Sequence, residues 1–303
     1  MRYSIPLITV LGLLCAAPTS AFAKVNVFAC EPEWAALSKE IGGDLVNVYT
    51  ATKAHQDVHH MRAKPSLLAA MRKADLVFCS GASLESGWLP ILLQKAGGPD
   101  VQQNTMGWLM AFDFVRKLEV MDEPADRSMG HVHPEGNPHV HLNPHNILEI
   151  ADFLTERLFL IDQSNGATYE ANLSAFTHRW KKAIVAWEEK GAKIKGSNIV
   201  VYHKSWAYLT DWLGLNIIAS LEPKPGLPPT TAHLESLLQS LKGKKVQAIL
   251  VAPFENDKAA LWLSKRTNIP VLHLPYTIGG RDNAQTLEQL FEETLSMLSQ
   301  VSQ

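Results

Sequence analysis

The chain has 303 residues, 46% of them hydrophobic, a length that allows two domains of ordinary size, each with its own core. Its formal net charge of −2 provides no electrostatic footprint for nucleic acid and no polybasic patch for a membrane surface. The composition therefore points to a small partner.

The segment 1–23 reads as a signal peptide. Arg2 supplies the positive start, Ile5 to Ala17 the apolar run, and Ala21-Phe22-Ala23 a small-x-small cleavage site. That run is too short to span a bilayer, and no later stretch approaches about 18 apolar residues. Cys15 lacks the small residue before it that a lipid-anchoring signal requires, so the mature chain is expected to be exported, soluble and periplasmic. Export leaves Cys30 and Cys79, each ending a predicted strand. If those strands are neighbours, the two thiols come within bridging distance in an oxidising compartment; two buried, unpaired thiols are the alternative.

From Lys24 onward, predicted strands and helices alternate. VNVFAC is β-rich, and EPEWAALSKEIGG follows with Trp34, Leu37 and Ile41 on one helical stripe and Gly42-Gly43 as its stop. LVNVYTA and DLVFCSG are further strands, with a helix beginning near Pro65 between them and a short helix within 81–98 after them. FDFVRKLEV reads as one more strand. NILEIADFLTERLFLID and then 167–194 form amphipathic helices, the second with Tyr169, Leu173, Phe176, Trp180, Ile184 and Trp187 at spacings of three and four. At about 1.5 Å per residue the second reaches about 40 Å, enough to brace two lobes. NIVVYH, NIIASLE, VQAILVAPF and PVLHLPY then alternate with helices to the C-terminus. The expected fold is α/β: a first lobe over 24–165, a rigid connecting helix over 166–195 and a second lobe over 196–303, each lobe a parallel sheet flanked by helices. In such sheets ligands bind beyond the C-terminal ends of the strands.

Chemistry concentrates in GHVHPEGNPHVHLNPHN, residues 130–146, which hold five of the twelve histidines. Pro134, Pro138 and Pro144 interrupt any helix there, leaving a loop rich in imidazole, the commonest side-chain ligand for late first-row cations. A loop that only gathers ions loosely at the surface is the competing reading. In HQDVHH, the adjacent His59 and His60 point differently, so one of them is a candidate ligand. In NPHVHLNP, His139 and His141 share a face if the segment is extended. His203 ends an apolar strand, where a lone histidine is more often a packed boundary residue.

The segments DVHHMRAKPSLLAAMRKADLVFCSGASLESGWLP, GNPHVHLNPHN and YHKSWAYL, together with the long linking helix, resemble in order and spacing the metal-binding solute-binding proteins of zinc- and manganese-type ABC transporters. The resemblance covers essentially the whole mature chain. It aligns Asp57-Val58-His59 with the family's D-P-H, Asn137-Pro138-His139 with its second D-P-H, and Tyr202-His203 with its Y-H, which implies His59, His139 and His203 as the metal ligands. His141 falls where the family usually has tryptophan. The family often supplies an aspartate on the last strand, whereas this chain reads LHLPYTIGG, with Pro275 or Tyr276 at that place. The fourth position is left to Glu222, His60 or water.

The resemblance further implies a monomer that binds a divalent ion in the cleft and passes it to the transporter's membrane permease; three imidazoles with water or one acid make that ion Zn2+ in preference to Mn2+, which wants more carboxylate oxygen. It implies neither catalysis nor membrane insertion. Because neutral imidazoles bind metal, affinity is expected to fall as the pH drops through about 6.5. His131 and His133 are assigned to a flap that hands ions to the site, with a merely solvated loop as the alternative. His131→Ala is accordingly expected to change affinity little. His55 and His145 are read as loop or cap residues, His178 and His233 as exposed on helices, and His273 as packed on a strand. The competing classes are a zinc hydrolase built on His131/His133 or His139/His141 and a stand-alone metal buffer or adhesin. The hydrolase lacks an H-E-x-x-H helix and a general base spaced to serve His139.

Overall fold

Eight short β-rich runs form two four-stranded sheets in a computed structural model that describes residues 23–122, 129–130 and 132–301. In the first sheet β1 (Val25–Ala29), β2 (Val46–Thr50), β3 (Leu76–Cys79) and β4 (Trp108–Met110) lie in the order β2-β1-β3-β4. In the second, β5 (Asn198–Val201), β6 (Asn216–Ser220), β7 (Ala248–Val251) and β8 (Val271–His273) repeat it as β6-β5-β7-β8. Every pairing is parallel. The interior strands β3 and β7 are unbroken apolar runs, LVFC and AILV, buried at every residue; a parallel strand covered on both faces requires this. The edge strand β2 alternates toward solvent.

The helices α1 (Pro32–Gly42), α2 (Pro65–Met71), α3 (Leu89–Ala96) and α4 (Pro144–Ile161) belong to the first half of the chain. A proline in the first turn of each fixes φ where no intrahelical N–H bond is lost. The helices α6 (Ala207–Leu213), α7 (Thr231–Ser240), α8 (Lys258–Thr267) and α9 (Leu287–Gln300) accompany the second sheet. Between them runs α5 (Gly166–Gly191), 26 residues long. Its apolar stripe of Tyr169, Phe176, Trp180, Ile184 and Trp187 is buried and belongs to one hydrophobic core that includes residues of both sheets. Arg179 on its outer side pairs with Glu40 of α1 and Glu288 of α9. The fold is thus two parallel-sheet lobes joined by a long helix, as the alternation of elements predicted. Among the described residues no helix is long and apolar enough to cross a membrane.

FDFVRKLEV is not a strand. The fourth strand is Trp108–Met110, just upstream, and Ala111–Phe114 form a 3-10 turn. Phe112 is buried by that turn and Phe114 stacks on Phe153 with ring centroids 3.9 Å apart, so this apolar content serves helix packing. Helix α4 starts two residues before the expected NILEI because the Asn143 side chain accepts from the His145 N–H at 3.0 Å.

Cys30 and Cys79 follow β1 and end β3, which are neighbours; their Cα atoms are 4.8 Å apart and the pair is a disulfide. It closes a loop of 49 residues, so chain entropy predicts that Cys30→Ser with Cys79→Ser destabilises the protein by about 4 kcal/mol. Urea unfolding of the metal-free parent and double variant measures this; equal midpoints would refute it.

Candidate metal centre

The loops that leave the carboxyl ends of the strands carry Glu31 after β1, His59 after β2, Ser80 after β3, His203 after β5, Glu222 after β6, Glu255 after β7 and Tyr276 after β8. Strand order reverses between β1 and β3 and again between β5 and β7, and the chain ends of such sheets open into a crevice at these points. The two crevices face each other. His59, His139 and His203, distant in sequence, meet there, each with one ring nitrogen within 4.8 Å of the others. Their ring centroids are separated by 5.6–6.1 Å.

Each of the three rings is held from behind. His59 sits in a 3-10 turn capped by Asp57, whose Oδ1 accepts from the His59 backbone N–H at 3.0 Å and lies 2.8 Å from its Nδ1. His203 follows β5 directly, and its Nδ1 lies 2.7 Å from Glu222 Oε2, which also accepts the Gly226 N–H at 2.9 Å. A carboxylate partner requires Nδ1 to carry the proton in both rings, leaving Nε2 as the donor atom toward the cleft. His139 is fixed by Asn137, whose side chain accepts the His139 N–H at 3.1 Å and donates to Glu119 and to the Lys204 carbonyl. The Tyr276 hydroxyl is 2.5 Å from His139 Nδ1, while the buried His139 Nε2 has no hydrogen-bond partner among the described residues.

The local electrostatics keep these groups in ligating form. Burial, followed by the neighbouring His59 and His203, holds the His139 pKa well below the ordinary imidazole value, so it is neutral, as metal binding requires. Burial opposes the charge on Asp57, yet the hydrogen bonds and charge of His59 leave its carboxyl below the usual range. Burial, reinforced by Glu33 and Glu31, pushes Tyr276 well above the ordinary phenol value, so it remains a hydroxyl. Deeper in the first lobe, Glu31 and Glu85 are buried together around Ser80. Burial raises both, Glu85 to about 7. Burial also raises Glu255, in the second lobe, to about 8.

His139 and His141 do not share a face, because Val140–Leu142 is a 3-10 turn and not an extended segment. His141 instead points away from the cluster, 3.2 Å from Glu33 Oε1 by its Nδ1 and 2.9 Å from the Tyr276 carbonyl by its Nε2. Together with a hydrogen bond from the Thr277 hydroxyl to Glu33, this ties the loop after β8 to the first lobe. Of the residues expected to compete for the fourth position, Glu222 lies behind His203. The His60 side chain is 59% exposed and faces Asp57 at 3.6 Å. His133, assigned to a flap, has its Nε2 3.2 Å from His59 Nε2; His131 lies outside the described residues. His178 is exposed as expected. His233 is half-buried, 3.0 Å from the Ser220 carbonyl, because it faces back across the start of α7 toward β6. His273, expected to be packed, is 43% exposed and pairs with Asp257, because it ends an edge strand.

Two helix-linked parallel-sheet lobes thus bring together, at their strand ends, a group of imidazoles of the kind that can hold a metal ion. The chain belongs to the ZnuA family, described as zinc-uptake complex component A, periplasmic, which it matches over residues 27–301. It is a substrate-binding protein of the metal ABC transporter class. The manganese ABC transporter substrate-binding lipoprotein scaA of Streptococcus gordonii is 28% identical over 262 residues, covering 83% of this chain and 79% of that one. The manganese-transporter lipoprotein PsaA of Streptococcus pneumoniae is 24% identical over 258 residues, covering 84% and 80%. The same fold appears in a crystal structure of ZnuA, with TM-score 0.76 and 21% identity over 92% of this chain and 100% of that one. It appears also in a Mn-bound periplasmic metal binding protein from Candidatus Liberibacter asiaticus, with TM-score 0.74 and 19% identity over 92% and 100%.

Proposed function

We propose that this protein captures Zn2+ between its lobes through His59, His139 and His203 and delivers it to the membrane permease of an ABC importer, acting as a free periplasmic monomer and not as an enzyme. The lobes in this reading are 24–165 and 196–303, with 166–195 as the link and 1–23 removed on export. Residues 1–22, including Cys15, lie outside the described residues. The observation that carries the reading is that three ligand nitrogens lie within 4.8 Å of one another while the carboxylates hydrogen-bonded to these rings, Asp57 and Glu222, are engaged behind them. A nitrogen donor set suits zinc, whereas manganese favours carboxylate oxygen. The preference is therefore assigned to zinc although the streptococcal relatives are named for manganese.

Competition calorimetry tests it. Zinc is expected to bind the purified protein and displace manganese at equal concentration; displacement of zinc by manganese would overturn the assignment. Recovery of the mature protein in the soluble periplasmic fraction, without detergent, tests the absence of an anchor.

A further inference from the structure

We propose that His133 is the fourth ligand, so that the ion sits in a closed cage of four imidazoles. The inference rests on the three-histidine reading above and adds to it. His133 Nδ1 is 2.8 Å from the Ala82 carbonyl, which accepts only, so that nitrogen carries the proton. His59 Nδ1 is protonated for the same reason, facing Asp57 at 2.8 Å. In neutral rings both Nε2 atoms are then lone pairs, and they face each other at 3.2 Å. Two lone pairs at that distance repel unless a positive charge lies between them. Two nitrogens bound to one tetrahedral zinc at about 2.05 Å stand about 3.3 Å apart. The observed spacing is that of two ligands sharing an ion.

The surroundings are built to present His133. Ala82 and Ser83 adopt φ values of +47° and +64°, left-handed backbone that is unfavourable for non-glycine residues and persists only where its surroundings enforce it. That turn is held by the buried Glu85 carboxylate, which accepts the Ser80 N–H at 2.8 Å and the Gly81 N–H at 3.2 Å. The Ala82 carbonyl it presents holds the His133 ring. The flap itself is fastened at Met121 N–H to the Pro134 carbonyl, 3.1 Å, and at Asn137 N–H to the Leu118 carbonyl, 2.8 Å. Its other end approaches the second lobe so closely that a Cβ on Gly130 would lie 2.2 Å from the Pro225 carbonyl. The described residues of the flap thus touch both lobes, with His133 Nε2 turned toward that of His59.

Four imidazoles leave no coordination position open, which a catalytic zinc would need, and offer no carboxylate to manganese. His133 thereby becomes a residue that sets metal choice. X-ray absorption of the zinc-loaded protein is expected to report four imidazole nitrogens in the parent and three in His133→Ala and His133→Gln. Calorimetry is expected to show at least a roughly 10-fold loss of zinc affinity in both variants, the lower bound set by what disturbing a ligand's support already costs. Matching thermal unfolding of the metal-free parent and variants excludes a folding defect. Three imidazoles in the parent, or zinc affinity within about twofold of the parent in both variants, would overturn the inference while a weakened His59→Ala left the three-histidine reading standing. Unchanged affinity in His59→Ala as well would remove both.

Discussion

Alanine at His59, His139 or His203 is expected to lower zinc affinity by more than about 100-fold in each case, because disturbing only the partner behind a ligand already costs about 10–100-fold. The expectation follows from the way each ring is held. The imidazoles are oriented by Asp57, Tyr276 and Glu222, so binding does not have to freeze three mobile side chains. Removing one ring therefore loses a prepositioned donor, and the remaining two cannot rearrange to replace it. His139 is 1% exposed, so its loss also leaves a buried gap beside the ion. Asp57→Asn and Glu222→Gln retain the rings but lose the charged acceptor, and belong in the 10–100-fold range. His55→Ala, on an exposed loop, is expected to change nothing. Zinc calorimetry across this series checks the hierarchy; equal small effects at all positions would remove the assignment of the site.

On the proposed reading, the same geometry would let a bound ion be reported to a membrane partner. His59 and His139 come from the first lobe and His203 from the second, while Asn137 donates to the Lys204 carbonyl and Thr277 to Glu33 across the same divide. A cation gripped from both sides favours the closed arrangement by the difference in its affinity for closed and open forms. The polar contacts across the cleft lower what the ion has to contribute. The loop that makes the second of them, Pro275 to Thr277, stands where the family often places an aspartate, and here it supplies the Tyr276 hydroxyl to His139.

The alternation of strands and helices was legible because parallel strands buried on both faces need unbroken apolar runs such as LVFC and AILV. The long helix was legible from its aromatic stripe. FDFVRKLEV misled because Phe112 and Phe114 satisfy their burial from a 3-10 turn, and local pattern does not distinguish that from a strand. His139 and His141 were separable only once Val140–Leu142 was seen to turn. The place of Glu222 behind His203, and of His133 against His59, depends on segments 19 and 74 residues apart. No local periodicity encodes either. A signal for His133 was nonetheless present: a histidine six residues before His139 in a loop stiffened by Pro134 and Pro138 has few ways to lie.

Trp180→Ala is expected to destabilise the metal-free protein by about 4 kcal/mol, within the usual range for truncating a buried tryptophan. Trp180 lies at the middle of α5, fully buried, with ring centroids 5.1 Å from Phe176, 5.1 Å from Trp187 and 5.6 Å from Phe291 of α9. Its indole N–H donates to the Pro144 carbonyl at 2.8 Å, at the start of α4 and five residues after His139. One side chain thus joins the linking helix to the second lobe's last helix and to the first lobe's histidine loop. Alanine there opens a cavity among aromatic rings that cannot collapse onto it, and it also leaves the Pro144 carbonyl without its donor. Trp180→Phe separates the two terms: most of the apolar contact remains and only the hydrogen bond is lost, at about 1–2 kcal/mol. The measurement must be made with chelator present, since zinc binding the folded state adds stability that grows with its concentration. Urea unfolding midpoints of the parent, Trp180→Phe and Trp180→Ala should fall in that order; an alanine variant as stable as the parent would show that α5 does not brace the lobes through this residue.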